Sequence, residues 1–217
     1  MKDFLIIFDL DGTLLNTDLL IFKSFEHVFN KYFPDYTLSK EELLSFLGPS
    51  LKDSFNRYAP ESQVDELIKC YRDYNHSHHE DYIEIYPHIE ETLKILKDKD
   101  YPMVVLTTKM KHTAIMGLDI FHLKPYFEEI IGCDTIEKGK PDPEGIYKAL
   151  SLTSCTKGVM IGDNKSDLLA GKNANIYTIG VKWSPKGYKE MEALHPDLLI
   201  DDMKEIITWI DEVNKKC

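Results

Sequence analysis

Six short apolar runs punctuate the chain: FLIIFD (4–9), MVVLT (103–107), EIIG (129–132), GVMIGD (158–163), YTIGV (177–181) and DLLI (197–200). The first is apolar at consecutive positions, so it has no solvent face. That is the signature of a strand covered on both sides, as in a parallel sheet. The sequence between runs reads as helix. HIEETLKILKD (88–98) and PEGIYKALS (143–151) place apolar residues at i, i+3 and i+4, the second with a proline at its start. Strand alternating with helix predicts an α/β fold built on a parallel sheet, with DLLI as an edge strand.

One block breaks this rhythm. Between about Asn16 and Tyr86 there is no β signal, only helical stretches. TDLLIFKSFEHVFNKYF offers Thr17 as a cap, and its aromatics recur at helical spacing, as the core of a helical unit would. SKEELLSFL sets Ser39 three residues before Glu42 in capping-box spacing. SQVDELIKCYRDYNHSHHEDY is a third helix. The expected organisation is an α/β core of residues 1–15 and 87–217, with a helical cap domain of residues 16–86 inserted after the first strand. Short hinges fall near 14–17 and 80–87, because no Gly/Ser-rich linker is present.

The first strand ends on Asp9, Leu10, Asp11, Gly12 and Thr13. Residues i and i+2 of a strand project to one side, so two carboxylates would crowd one spot. Such a pair needs a positive partner, or a proton held by one member. A lone Asp-x-Asp-Gly reads equally well as a turn followed by a helix cap. The other strand ends decide between these readings. In open parallel sheets ligands bind at the carboxyl ends of strands, where strand order reverses. There the second run delivers Thr107, Thr108 and Lys109, the loop after the third carries Lys140, and the fourth leads to Asp163 and Asp167.

Four carboxylates cannot share a site bare. Mg2+ is their natural partner, a hard cation that takes oxygen ligands together with substrate phosphate, whereas zinc would call for His or Cys. Asp9, Asp11, Asp163 and Asp167 are the carboxylates whose charge Mg2+ would offset. Asp9 is placed to attack phosphorus, and Asp11 to protonate the leaving oxygen and later activate water. Lys140 would stabilise charge on the transferring group. Thr107 and the backbone amides after Asp11 would hold phosphate oxygens, Gly12 allowing close approach; Thr108 and Lys109 are further candidate substrate contacts, Lys109 against the plainer reading of a surface lysine.

These residues resemble the four motifs of the haloacid dehalogenase superfamily. DLDGT is similar to the first motif, Thr107 to the second, Lys140 to the third and GDNKSD to the fourth. The resemblance implies a nucleophilic, metal-binding Asp9 and an acid/base Asp11 that binds metal through its backbone carbonyl. It also implies metal-binding Asp163, with Asp167 completing or supporting the sphere through a water. The helical insert resembles a C1-type cap. An acid at position 11 favours phosphatases over dehalogenases, whose leaving group needs no proton. Further stretches, FLGPSLKDSF (46–55), YRDYNHSHHED (71–81), LTTKMKHTAIMGL (106–118), IGDNKSDLLAGKNA (161–174), GVKWSPKG (180–187) and HPDLLI (195–200), resemble PpaX-type pyrophosphatases, relatives of the phosphoglycolate phosphatases. Asn175 departs from the glycine usual in that family, but Asn tolerates left-handed backbone.

The expected function is Mg2+-dependent hydrolysis of pyrophosphate, or alternatively of phosphoglycolate or another small phosphomonoester. A β-phosphoglucomutase-like phosphotransferase is a weaker alternative. So is a non-catalytic phospholigand sensor, which would be free to lose Asp9, Asp11, Lys140 and Asp163. In the insert, Ser50 and His76 are candidate substrate contacts, each against a plainer reading: a break between helices for Gly48-Pro49-Ser50, and a solvated helix end for Asn75–His79. Trp183 is expected to pack under the rim of the sheet, and LIDDM (199–203) to be solvated.

A formal net charge of −11 argues against a nucleic-acid partner. No apolar stretch approaches the roughly 18 residues of a membrane span, and the first residues do not read as a signal peptide. Cys70, Cys133, Cys155 and Cys217 form no CxxC pair and read as reduced thiols of a cytoplasmic protein. A small phosphorylated substrate is the expected partner, and a monomer or weak dimer the expected state.

Overall fold

A computed structural model of the chain describes residues 2–215; Cys217 lies outside them. The strands are β1 (Leu5–Phe8), β2 (Leu15–Asn16), β3 (Glu84–Ile85), β4 (Met103–Leu106), β5 (Glu129–Ile131), β6 (Gly158–Gly162), β7 (Tyr177–Val181) and β8 (Leu198–Ile200). Six of them form one sheet in the order β5-β4-β1-β6-β7-β8, and every adjacent pair is parallel. All six apolar runs of the sequence contribute a strand to it.

Alternation within β1 builds two cores at once. Phe4, Ile6 and Phe8 join Met103, Val105, Val159 and Ile161 on one face. Leu5 and Ile7 join Val104, Leu106 and Met160 on the other. Successive side chains of a strand point to opposite faces, so a run with no polar position must be covered twice. Ile89, Leu93 and Leu96 of a helix at Ile89–Asp98 supply part of the first cover. Ile146 and Ala149 of a helix at Glu144–Thr153, with Ala170 of a helix at Lys165–Asn173, supply part of the second.

The chain divides into two compact units, Met1–Leu15 with Ile85–Cys217, and Asn16–Glu84. The second unit is built on four helices, Asp18–Tyr32, Lys40–Ser45, Leu51–Phe55 and Glu61–Ser77. Its core is aromatic: Phe25, Phe29, Phe46, Phe55 and Tyr71 cluster with Val64 and Leu67, and Phe25 stacks on Phe46 at 3.8 Å between ring centroids. The Ser39–Glu42 capping box forms in both directions, at 3.2 and 2.8 Å.

Several expectations need correction. The 16–86 block is not free of β structure, since β2 and β3 pair as a two-stranded sheet. Two-residue strands are too short for periodicity to reveal. Thr17 stands before the Asp18–Tyr32 helix without a side-chain cap bond. Its backbone (φ −111°, ψ 7°) lacks the extended form that aims a capping hydroxyl, and Asn16 Oδ1 accepts the Asp18 N–H at 3.3 Å instead. The LIDDM stretch is not simply solvated, because Ile200 and Met203 are buried in the sheet core. Asn175 takes φ 56°, the left-handed backbone that its resemblance to a glycine position implied.

Candidate active site

Strand order places the chemistry. From β1 the chain fills one side of the sheet with β4 and β5, then returns to lay β6 against the other side of β1. The crevice of such a fold opens at the carboxyl ends of the strands flanking that reversal. Asp9 is the first residue after β1, Asp163 the first after β6, and Thr107 the first after β4. Phe8 is in register with both Val105 and Ile161, so these three ends are level.

Lys140 holds the centre. Its Nζ donates to Asp9 Oδ1 at 2.7 Å and to the Leu106 carbonyl at 3.0 Å, and contacts Asp167 Oδ1 at 2.5 Å. Its side chain is only 3% exposed. Burial disfavours the ammonium, but Asp167 and Asp9 outweigh burial and hold its pKa above the ordinary lysine value. Asp167 has a second task. Its Oδ2 accepts the Asn164 N–H at 2.9 Å, closing a capping box at the start of the Lys165–Asn173 helix. The N-x-x-D spacing in GDNKSD carried that signal, and the sequence reading passed over it.

Asp9, Asp163 and Asp167 each bring an oxygen within 4.8 Å of the others, and all three are buried. Burial raises the Asp9 carboxyl to about 7; Lys140 opposes this and Asp167 adds to it. Burial likewise raises Asp163 to about 6, against the pull of Lys186. Asp167 is raised by burial too. Three clustered carboxylates whose ionisation the protein resists form a donor set suited to a hard divalent cation, which would reverse the penalty.

The two acids of the first motif do not share one counter-charge. Asp9 is paired with Lys140, while Asp11 Oδ1 accepts from Lys109 Nζ at 2.8 Å. Asp11 contributes less to raising Asp9 than Asp167 does. Gly12 turns the chain just after Asp11 at φ 79°, and a Cβ there would sit 2.6 Å from Asp163 Oδ2. Glycine is required on both counts. The amides that follow are not open to a phosphate, contrary to expectation: Gly12 N–H donates to Leu15 O, and Thr13 and Leu14 N–H to Leu10 O. The turn spends them internally.

Thr107 is buried, and its Oγ1 accepts the Lys109 N–H at 3.1 Å, which leaves the hydroxyl proton to donate. Thr108 is half-buried beside it. Ser50 and His76 belong to the other unit. Ser50 caps the Leu51–Phe55 helix, its Oγ accepting from Asp53 N–H and donating to Asp53 Oδ2. His76 is half-buried, while Asn75 and His79 are buried, so that helix end is not merely solvated. Asn75 donates to Ser24 Oγ at 3.1 Å.

Two residues near the carboxylates were missed in the sequence. Lys186 Nζ lies 3.8 Å from Asp163 Oδ2. The Ser184 hydroxyl is buried against the same carboxylate and lowers its pKa, without reaching well-formed hydrogen-bond geometry. Neighbouring Trp183 packs on Tyr86, and Lys182 pairs with Asp201 at 2.7 Å. The SPKG tetrad reads as a turn, and nothing in its composition shows where the lysine points.

The family model for haloacid dehalogenase-like hydrolases matches residues 6–181, which include all four strand-end motifs. The chain belongs to this family. Among its relatives, pyrophosphatase PpaX of Bacillus cereus (strain Q1) is 40% identical over 217 residues, 99% of this chain and 100% of the relative. Pyrophosphatase PpaX of Listeria monocytogenes serotype 4b (strain CLIP80459) is 41% identical over 207 residues, 94% of this chain and 95% of the relative. A solved structure of a predicted phosphatase from Clostridium acetobutylicum superposes with a TM-score of 0.82 at 29% identity, covering 98% of this chain and 97% of that one. This haloacid dehalogenase-like hydrolase is thus a phosphatase-type enzyme with a small phosphorylated substrate, and its buried aspartates could hold the divalent metal that such hydrolases generally use. Among the described residues no helix is long and apolar enough to cross a membrane.

Proposed function

We propose that this enzyme hydrolyses inorganic pyrophosphate through a phosphoryl group carried on Asp9, with Mg2+ as its cation. The observation that carries the substrate is the identity of about 40% to pyrophosphatases along nearly the whole chain, helical unit included. A match confined to the α/β core would speak only for generic chemistry.

The residues divide the work as follows. Asp9 attacks one phosphorus of pyrophosphate; the new bond joins its carboxylate oxygen to phosphorus, and the bridging oxygen leaves with its electron pair. Asp11 gives that oxygen its proton, so the first phosphate departs. Water then attacks the phosphorus of the acyl phosphate, Asp11 recovers a proton from it, and Asp9 is released with the second phosphate. Lys140, fixed by three acceptors, holds Asp9 in line and offsets charge on the transferring oxygens. Thr107 donates to one of those oxygens. Asp9 and Asp163, with Asp11 and Asp167 supporting, would hold Mg2+, which when bound would offset charge on the phosphoryl group. A cytoplasmic location fits the free thiols of Cys70, Cys133 and Cys155. Residues 16–84 would act as the cap that admits substrate.

The test is phosphate release from pyrophosphate, phosphoglycolate and p-nitrophenyl phosphate, with Mg2+ and with chelator. The expected result is the largest kcat/KM on pyrophosphate and loss of all turnover on chelation. A preference for phosphoglycolate would overturn the substrate, and chelator-resistant turnover would overturn the metal.

A further inference from the structure

Lys140 sits in IEKGKPDPE (136–144), the stretch that leads into the Glu144–Thr153 helix. Loop backbone has no ladder of its own to hold it, so its amides must find partners elsewhere. Yet the Lys140 ammonium meets two buried carboxylates and a carbonyl with contacts of 2.5 to 3.0 Å. A lysine is a point charge on a flexible four-carbon stem, so such aim needs a fixed backbone beneath it.

Glu144 supplies that hold. Its Oε1 accepts the Glu137 N–H and its Oε2 the Lys138 N–H, each at 2.8 Å. Both amides precede Lys140 in the chain and Glu144 follows it. The carboxylate therefore closes residues 137–144 into a ring that contains the lysine. Two bonds tighten the ring from within: Asp142 N–H donates to Gly139 O at 3.0 Å, and Asp142 Oδ1 accepts the Glu144 N–H at 3.0 Å. One bond ties it from outside, where Asn173 Nδ2 donates to the Pro141 carbonyl at 3.0 Å. Asn173 ends the Lys165–Asn173 helix, whose first turn carries Asp167, so Lys140 and its acidic partner are tied to one element.

Glu144 is also the first residue of its own helix, where unpaired N–H groups favour negative charge. Pro143 before it makes no side-chain cap bond. An acid placed there only for the helix would turn to the helix amides. Both oxygens of Glu144 instead take amides of the Lys140 loop.

We propose that Glu144 is a positioning residue for phosphoryl transfer: by clasping the Glu137 and Lys138 amides it fixes the loop from which Lys140 reaches Asp9 and the transferred oxygens. The inference rests on the phosphohydrolase reading above. Glu144 acts through backbone, so its effect follows the task of Lys140, which serves the phosphoryl group common to every substrate.

The experiment compares wild type, Glu144→Ala, Glu144→Gln and Lys148→Met on pyrophosphate, phosphoglycolate and p-nitrophenyl phosphate, at a temperature where each protein is folded. In Glu144→Ala, kcat should fall about 10–100-fold, as for loss of a charge-assisted hydrogen bond in the transition state. The fall should be alike on all three substrates, with KM within about threefold of wild type, because ground-state binding is not what the lysine's aim decides. Glu144→Gln keeps one acceptor and should lose only about 3–10-fold. Orthovanadate, which imitates the transferring group, should bind Glu144→Ala about 10-fold more weakly. Lys148→Met is the control. Lys148 lies on the same helix and its Nζ donates to the Thr135 carbonyl at 2.5 Å, outside the ring. Its loss should lower Tm and leave kcat within about threefold. Glu144→Ala with a lower Tm but unchanged kcat would overturn the proposal and make Glu144 a prop for the helix. So would a loss confined to one substrate, or an equal loss of kcat in Lys148→Met. If Glu144→Ala does not fold, the same comparison on Glu144→Gln decides. Wild type that prefers phosphoglycolate, with Glu144→Ala losing kcat alike on every substrate, would overturn the pyrophosphate reading and leave this inference standing. Pyrophosphate preferred, with kcat untouched in Glu144→Ala, would do the reverse.

Discussion

Replacing Asp9 by Asn should stabilise the metal-free protein while ending its turnover. Burial raises this carboxyl from 3.8 to about 7 even after Lys140 has pulled it down. A raised acid folds best when protonated, so the contribution of Asp9 to wild-type stability is most favourable below its unfolded pKa of 3.8 and is lost as pH rises towards 7. Above that the loss is constant. At 1.36 kcal/mol per pKa unit the full penalty is about 4 kcal/mol. Asn is a neutral stand-in for the protonated acid and never incurs it. In a chelating buffer, Asp9→Asn should exceed wild type by up to about 4 kcal/mol at pH 8, but by only about 1–2 kcal/mol at pH 5. For a chain of this length that is roughly 8–16 °C in Tm at pH 8. Thermal unfolding of both proteins across pH 5 to 8, with chelator and then with excess Mg2+, reads the effect. Mg2+ should close the gap by stabilising wild type more. A variant less stable than wild type at pH 8 in chelator, or a gap indifferent to pH, would refute the account of Asp9 as a carboxylate the fold resists ionising.

Asp11→Asn removes the proton donor while keeping a group of similar size, so kcat should fall about 10²–10⁴-fold on pyrophosphate. The loss should be smallest on p-nitrophenyl phosphate, whose leaving group needs least protonation; a uniform loss would assign the proton transfer elsewhere. Gly12→Ala should cost about 1–2 kcal/mol from left-handed backbone. It should also weaken Mg2+ binding, since the added methyl would press on Asp163 Oδ2. Unchanged Mg2+ affinity would show that Asp163 tolerates displacement.

The sheet was legible because its strands are short, mainly apolar runs; β1 and β4 have no polar position at all, as two-sided burial requires. Asp9, Thr107 and Asp163 could be placed for the same reason, each being the first residue after a run. Lys140 needed more: it lies on a loop, and only the chemistry of the neighbouring acids, together with the family resemblance, drew attention to it. What escaped was orientation. Extended geometry would put Asp9 and Asp11 on one side, but β1 ends at Phe8, before either acid, and each acid meets a different lysine. The amides after Asp11 looked ready for phosphate because the sequence does not show that Leu10 and Leu15 carbonyls take them. Lys186 was lost among the other lysines, since its value depends on a turn that brings it to Asp163 across 23 residues of chain.

The different hold on Lys140 and Lys109 follows from what each must do when charge arrives. An ammonium held by Asp9, Asp167 and a backbone carbonyl cannot move without leaving buried acids unpaired, a loss of several kcal/mol. Lys140 is therefore a fixed charge, suited to an oxygen whose position is the same in every turnover. Lys109 pairs with Asp11, which is more exposed than Asp9 or Asp167, and breaking that pair costs less because water reaches it more readily. Its charge can follow a ligand. A site with only fixed lysines would bind one phosphoryl group and be indifferent to its leaving group; one with only mobile lysines would not aim Asp9. Both kinds around one acidic cluster fit a substrate whose two halves are each charged and of which only one is transferred.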